Sequence, residues 1–284
     1  MLVFAWLAGA LGLGLATGAA AVPTVALMAL GLLLGCLLLL IGHSLVLAGR
    51  IANLDRDSKR TFDTLRQVRA DTQTEIRQTF RQLEALQNLN DVLPSTDVLP
   101  PTRGWAASPD LLMVLVDLVI TKRPSLVVEC GSGASTLWIA LAMRRFEIDG
   151  RIVSLEHDPV FGDKTRDFLA RHKVLDLVDI RDAPLESFSI DGENYSWYAT
   201  RAWEDLKGID LLFVDGPPAA TGHRARYPGL PLLSDSLSPV ATIVLDDLVV
   251  PDMQEVLRLW LDAYPDFGSE ILPLEKQAAV LRRS

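Results

Sequence analysis

Four short stretches of this 284-residue chain end apolar runs with glycine turns or carboxylates, the residue types a polar ligand needs. The first is Glu129-Cys130-Gly131-Ser132-Gly133-Ala134-Ser135-Thr136. Two glycines one residue apart let the backbone turn tightly and let a ligand lie against it. A helix opening at Ser135 would aim unpaired N–H groups at an anionic group such as a carboxylate. The third glycine of a dinucleotide fingerprint is missing, because Thr136 stands in its place. Glu156 follows Gly131 by 25 residues and could accept from both hydroxyls of a ribose; an ordinary carboxylate at a strand end is the alternative. Further on come Asp215-Gly216-Pro217-Pro218 and the pair Asp246-Asp247. The prolines stiffen the turn that would hold Asp215 at a cleft mouth. Adjacent acids at a strand end are costly without a partner. With Asp215 they form a candidate oxygen-ligand set for a divalent cation such as magnesium, the alternative being a charge pair at a helix N-terminus.

These positions make sense only if strands deliver them to one edge. Ser108-Pro109-Asp110 reads as the start of a helix running to about Lys122. Strands are then expected at Leu126–Glu129, Ile152–Glu156, Leu177–Arg181, Ile209–Val214 and Thr242–Asp246. Helices are expected from about Ser135, at Phe161–His172 and at Asp252–Ala263. Such alternation predicts a doubly wound, mostly parallel α/β sheet covered on both faces. Glu270–Leu274 and Ala278–Leu281 read as two strands joined by a short turn, adding an antiparallel edge. In open sheets of this kind ligands bind beyond the carboxyl ends of the strands. Asp182, just past the third strand, could then accept from an adenine amino group.

The N-terminal part is of another kind. Residues 1–49 contain no Asp, Glu, Lys or Arg, and two apolar runs, Leu2–Val22 and Thr24–Leu47, meet near Pro23. A membrane-crossing helix needs about 20 apolar residues, so the expectation is a two-helix transmembrane hairpin turning at Gly18–Pro23. A cleaved signal peptide is the competitor, and it lacks its basic n-region here. Gly31 and Gly35 offer a small-residue pair for close helix approach. Arg50, Arg56, Lys59, Arg60, Arg66 and Arg69 follow the second run directly. The positive-inside rule therefore places the rest of the chain on the cytoplasmic side of an inner membrane. Residues 50–92 lack Gly and Pro and read as a helical stalk. Phe62, Leu65, Ile76, Leu83 and Leu86 trace a heptad seam that Arg69, Thr72 and Thr79 interrupt. The stalk is thus either a coiled coil joining copies of the chain or a solvated spacer. A linker, residues 93–104, leads into the soluble domain at 105–284.

Taken together, the stretch from about Trp105 to Leu281 resembles the class I S-adenosylmethionine-dependent methyltransferases, and among them the catechol-type O-methyltransferase group. The resemblance implies a Rossmann-like seven-stranded sheet with its last strand reversed. It also implies a methionine-binding first motif at Glu129, Gly131, Ser132, Gly133 and Ser135. Glu156, with His157 beside it, falls at the ribose position, Asp182 at the adenine side, and Asp215, Asp246 and Asp247 at the strand ends that carry cation ligands. Two features depart from the group. Pro217 and Pro218 occupy the loop where a lysine base is expected, and Asp247 stands where an asparagine is usual. His223 becomes the candidate base, alongside Asp215, with Arg224 and Arg226 either holding an anionic substrate or solvated. Trp197 and Tyr198 would line an acceptor pocket or pack beneath their loop, and Cys130 reads as a small buried residue.

Residues 93–284 carry 19 basic and 29 acidic side chains, a balance that repels phosphate backbones and disfavours nucleic acid. A small-molecule or lipid-linked acceptor fits better. Two alternatives remain open at the level of sequence: a non-catalytic membrane-tethered nucleoside-binding or assembly module, and a nicotinamide-dependent oxidoreductase. The missing third glycine and the reversed end strand count against the second.

Overall fold

The computed structural model describes residues 21–95 and 97–283. The chain divides after Thr74 into two compact units.

In the first unit the described residues belong to one helix, α1 (Ala21–Val92), which continues into the second unit. Its leucines from Leu27 to Leu54 are exposed, with Leu39 at 75%. The most apolar window of this helix has a mean hydropathy of 2.8, and it is the one helix among the described residues long and apolar enough to cross a membrane. The expected hairpin is not what these residues show. The run Thr24–Leu47 lies in a single uninterrupted helix that also takes in Ala21, Val22 and Pro23, where a turn was expected. The run Leu2–Val22, expected as the first span, lies almost wholly outside the described residues.

The second unit begins with the last turns of α1, where Gln82, Ala85 and Leu89 are buried. The end of the stalk is therefore part of the domain core. Then come α2 (Pro109–Lys122), β1 (Leu126–Cys130), α3 (Ala134–Arg145), β2 (Arg151–Glu156), α4 (Pro159–Arg171) and β3 (Val178–Asp182). A hairpin of β4 (Leu185–Ile190) and β5 (Glu193–Tyr198) follows, then β6 (Ile209–Val214), the single turn α5 (Gly229–Leu233) and β7 (Leu237–Leu245). The chain ends with α6 (Pro251–Ala263), β8 (Phe267–Leu272) and β9 (Ala278–Arg283).

Seven strands form one sheet in the order β3-β2-β1-β6-β7-β9-β8. From β3 to β7 all neighbours are parallel, while β9 runs antiparallel to both β7 and β8. Side chains alternate between two cores. Val128, Cys130, Leu155, Leu212 and Leu245 pack with Trp197 and with Trp260 of α6. Val127, Ile152, Phe213 and Val244 pack with α2, α3 and Leu89. Burial on both faces explains why these strands read as continuous apolar runs. The strand order reverses between β1 and β6, and at such a switch point the diverging loops leave a crevice.

Candidate functional site

The crevice at the switch point is built from backbone. Gly131 turns out of β1 at φ +100, in the left-handed region that glycine tolerates, and its N–H donates to Leu155 O at 2.9 Å. Across the crevice, Asp215 N donates to Cys130 O at 3.2 Å. Gly216 approaches so closely that a Cβ there would fall 2.9 Å from Cys130 O and 2.3 Å from the Tyr198 hydroxyl. No side chain fits at that point. Beyond the turn, Gly133 N donates to Thr136 Oγ1 at 3.0 Å, closing the first turn of α3. The following N–H groups at this helix start have no intrahelical acceptor.

Glu156 locks the turn to β2. Its Oε2 accepts from Ser132 N at 3.0 Å and from Ser132 Oγ at 2.8 Å, and its Oε1 accepts from Asp158 N at 3.0 Å. A carboxylate offers about four lone-pair sites, so Oε1 keeps capacity for one more donor. His157 Nδ1 lies 3.2 Å from that oxygen, without the alignment of a hydrogen bond.

Glu129 and Tyr198 are among the buried polar side chains here that have no partner. Glu129 is fully buried, and neither carboxylate oxygen meets a donor in hydrogen-bond geometry. Burial pushes its pKa up to about 7, opposed by the nearby Thr136 and Ser135 hydroxyls. The Tyr198 hydroxyl is likewise buried and unpartnered, and burial raises its pKa well above the ordinary phenol value. Native proteins leave few such groups, and each calls for a ligand or a water.

At the ends of β6 and β7 the three expected carboxylates do converge. One oxygen each of Asp215, Asp246 and Asp247 lies within 4.8 Å of the others. A buried arginine already binds two of them and the backbone carbonyl of the third, leaving Asp246 Oδ2 buried without a partner. Arg226 Nη2 is 2.7 Å from Asp247 Oδ2 and 3.1 Å from Asp215 Oδ1, and Nη1 donates to Asp246 O at 3.1 Å. Lys276, in the turn between β8 and β9, brings Nζ to 3.5 Å from Asp247 Oδ1. Burial raises the pKa of Asp215, and the Arg226 charge opposes the rise. A divalent ion about 4 Å from that guanidinium would meet a repulsion of roughly 8 kcal/mol at an effective dielectric near 20. The geometry fits the guanidinium that is there better than a divalent cation.

The remaining expected residues are placed as follows. Ser135 is buried in the first turn of α3 beside Glu129. Asp182 pairs across the sheet with Glu156 in register, but its carboxylate accepts from Arg166 Nη2 at 2.8 Å. Trp197 is fully buried, edge-on to Tyr198 and Trp203 at 5.2 and 5.9 Å, so it packs the core. Cys130 is fully buried and burial pushes its thiol pKa up, which suits packing and no nucleophilic role. His223 has both ring nitrogens engaged. Nδ1 accepts from Arg224 Nε at 3.1 Å, and Nε2 is 3.3 Å from Asp252 Oδ1. It lines a cavity of about 330 Å³ with Glu193, Asn194, Tyr195 and Thr221, and none of Glu129, Gly131, Glu156 or Asp215 lines that cavity. Arg224 is neither solvated nor free, since it pairs with Glu193 and lies over the Tyr195 ring.

A family profile described as a methyltransferase domain matches residues 128–248. These residues form a methyltransferase domain. The match runs from β1 to just past β7, so it includes the glycine turn, Glu156, Asp215, Arg226 and Asp247. The SAH-bound Podospora anserina methyltransferase PaMTH1 superposes with a TM-score of 0.50 at 18% identity, covering 72% of this chain and 87% of that one. The Bacillus cereus O-methyltransferase in complex with SAH gives 0.49 at 20% identity, covering 72% and 90%. The Streptomyces achromogenes O-methyltransferase TomG in complex with SAM gives 0.48 at 19%, covering 71% and 90%. No curated protein matches the sequence.

Proposed function

We propose that this chain is a membrane-anchored S-adenosylmethionine-dependent methyltransferase acting on an oxygen of a small or lipid-linked acceptor. The observation that carries the reading is the pair of buried acids at the switch point. Glu129 has no partner for its carboxylate, and Glu156 keeps one lone pair free beside the glycine turn. S-adenosylmethionine supplies a methyl group activated on a sulfonium, an ammonium to neutralise Glu129, and ribose hydroxyls to meet Glu156. The open N–H groups at the start of α3 suit its carboxylate. Asp182, at the end of the neighbouring strand, is on the adenine side.

The protein's own share of the work is positioning and exclusion of water, since in-line transfer needs little covalent help. Gly131 and Gly216 let the backbones of β1 and β6 close on the crevice. An acceptor hydroxyl must lose its proton, and Asp215, with a pKa raised by burial, is the carboxylate at that position. The apolar part of α1 anchors the chain. A second span at Leu2–Val22 would place both the N-terminus and the domain on the cytoplasmic side.

A thermal-shift comparison tests the cofactor. S-adenosylhomocysteine is expected to raise the unfolding temperature of the detergent-solubilised chain, by the linkage of binding to stability, while NADH leaves it unchanged. The reverse pattern would move the chain to the oxidoreductase class.

A further inference from the structure

Arg226 is the one buried basic side chain among the described residues, at 7% exposure. It sits on the loop between β6 and β7, at the point where three carboxylates converge. We propose that Arg226 is the resident cation of this site and that Asp215, Asp246 and Asp247 take no divalent metal.

A guanidinium is planar, permanently charged and able to present five donors in a fixed fork. Arg226 spends that fork on two of the three carboxylates a metal would need, those of Asp215 and Asp247 on Nη2, and on the backbone carbonyl of Asp246 on Nη1, while Asp246 Oδ2 stays buried without a partner. Lys276 covers the second oxygen of Asp247 at 3.5 Å. Both Asp247 oxygens thus face fixed positive charge. The backbone resists rearrangement too, because Asp215 N and Asp246 N are tied to Cys130 O and Val214 O at 3.2 Å each. A metal ion could enter only by displacing a buried arginine, which would then be left charged and unpaired.

The consequence for catalysis is specific. Activation of the acceptor oxygen falls to protein groups, and Arg226 acts as a positioning residue that fixes where the Asp215 carboxylate points. This also accounts for one of the two departures from the catechol-type pattern. A site whose cation is an arginine has no need of a metal-set asparagine at position 247, and an aspartate there gives the guanidinium a charged partner.

Electron paramagnetic resonance of Mn2+ added to the full detergent-solubilised chain tests this. The wild type is expected to leave Mn2+ free up to about 1 mM, the range of weak oxygen-ligand sites. Arg226→Gln is expected to bind one Mn2+ per chain at least about 10-fold more tightly than the wild type, since it removes the competing charge. Arg226→Lys keeps the charge and is expected to behave as the wild type. Tight, stoichiometric Mn2+ binding by the wild type would overturn the proposal. So would a folded Arg226→Gln, with native circular dichroism, that binds no better than the wild type. If Arg226→Gln does not fold, the wild type and Arg226→Lys decide the matter. Cofactor binding at Glu156 is a separate measurement, so Mn2+ capture by the wild type would remove only the role of the arginine.

Discussion

The hydroxyl of Tyr198 stands against the backbone of Gly216, so close that a Cβ on Gly216 would lie 2.3 Å from it. Tyr198 comes from the β4–β5 hairpin and Gly216 from the end of β6, so this contact joins the hairpin to the crevice where β1 and β6 diverge. The carbonyl of Cys130 closes the other side.

Gly216→Ala is therefore expected to destabilise the domain. Backbone on one side and a buried ring on the other leave the methyl no room, and overpacking of this kind costs about 1–3 kcal/mol. For a unit of this size that lowers the unfolding temperature by roughly 2–12 °C, since each kcal/mol is worth about 2–4 °C. Differential scanning fluorimetry of the purified chain measures it. An unchanged midpoint would mean that the strand ends are further apart than described.

Tyr198→Phe separates stability from ligand binding. The hydroxyl is buried with no partner, so its removal is expected to leave stability unchanged or to raise it by up to about 1 kcal/mol. Affinity for S-adenosylhomocysteine is expected to fall by about 5- to 10-fold, the worth of one neutral hydrogen bond. A loss of stability with no loss of affinity would make the tyrosine structural only.

Stability should depend on pH through Glu129. Its pKa in the folded chain is raised to about 7 from an ordinary value of 4.5, so between those values the folded state binds more protons than the unfolded state. Stability then falls as pH rises through that window and levels off above it, by roughly 3 kcal/mol in total. Urea unfolding of the ligand-free chain at pH 5 and pH 8 is expected to show the decline, and Glu129→Gln should reduce it, leaving the part that Asp215 and Asp246, also raised by burial, contribute. A wild type more stable at pH 8 would show that the carboxylate has a cationic partner in the ligand-free chain.

The membrane anchor predicts that alkaline carbonate leaves the full chain in the membrane pellet. Release into the supernatant would contradict it. The exposed leucines of α1 between Leu27 and Leu47 provide the apolar surface.

Much of this site was legible in the amino-acid order, and the exceptions have physical reasons. Leu126–Cys130, Arg151–Glu156 and Ile209–Val214 are short apolar runs ending in glycine or acid, because both faces are buried and only the carboxyl ends meet the crevice. The β4–β5 hairpin was passed over, though its signal is present. Asp191-Gly192 is a two-residue hairpin loop with both residues at positive φ, between Ile190 and Glu193, which pair. The serines and charges around it hide the strands, because one face of a two-stranded ribbon is wet. The tie of Arg226 to Asp215 and Asp247 could not be read. Separations of 11 and 21 residues carry no period, and only the closing of β6 beside β7 brings the groups together. The same holds for Asp182, whose partner Arg166 arrives on α4. A run of apolar residues shows that a segment prefers lipid, but it does not fix where a helix breaks, as Pro23 within α1 illustrates.

Isothermal titration of the full chain with S-adenosylhomocysteine, comparing wild type with Glu156→Ala and Asp247→Ala, tests the central claim most directly. The account predicts saturable binding by the wild type and a loss of about 10- to 100-fold in Glu156→Ala, the range for hydrogen bonds to a charged group. Asp247→Ala should bind as the wild type does. No binding by the wild type at high micromolar ligand, or equal binding by wild type and Glu156→Ala, would contradict it.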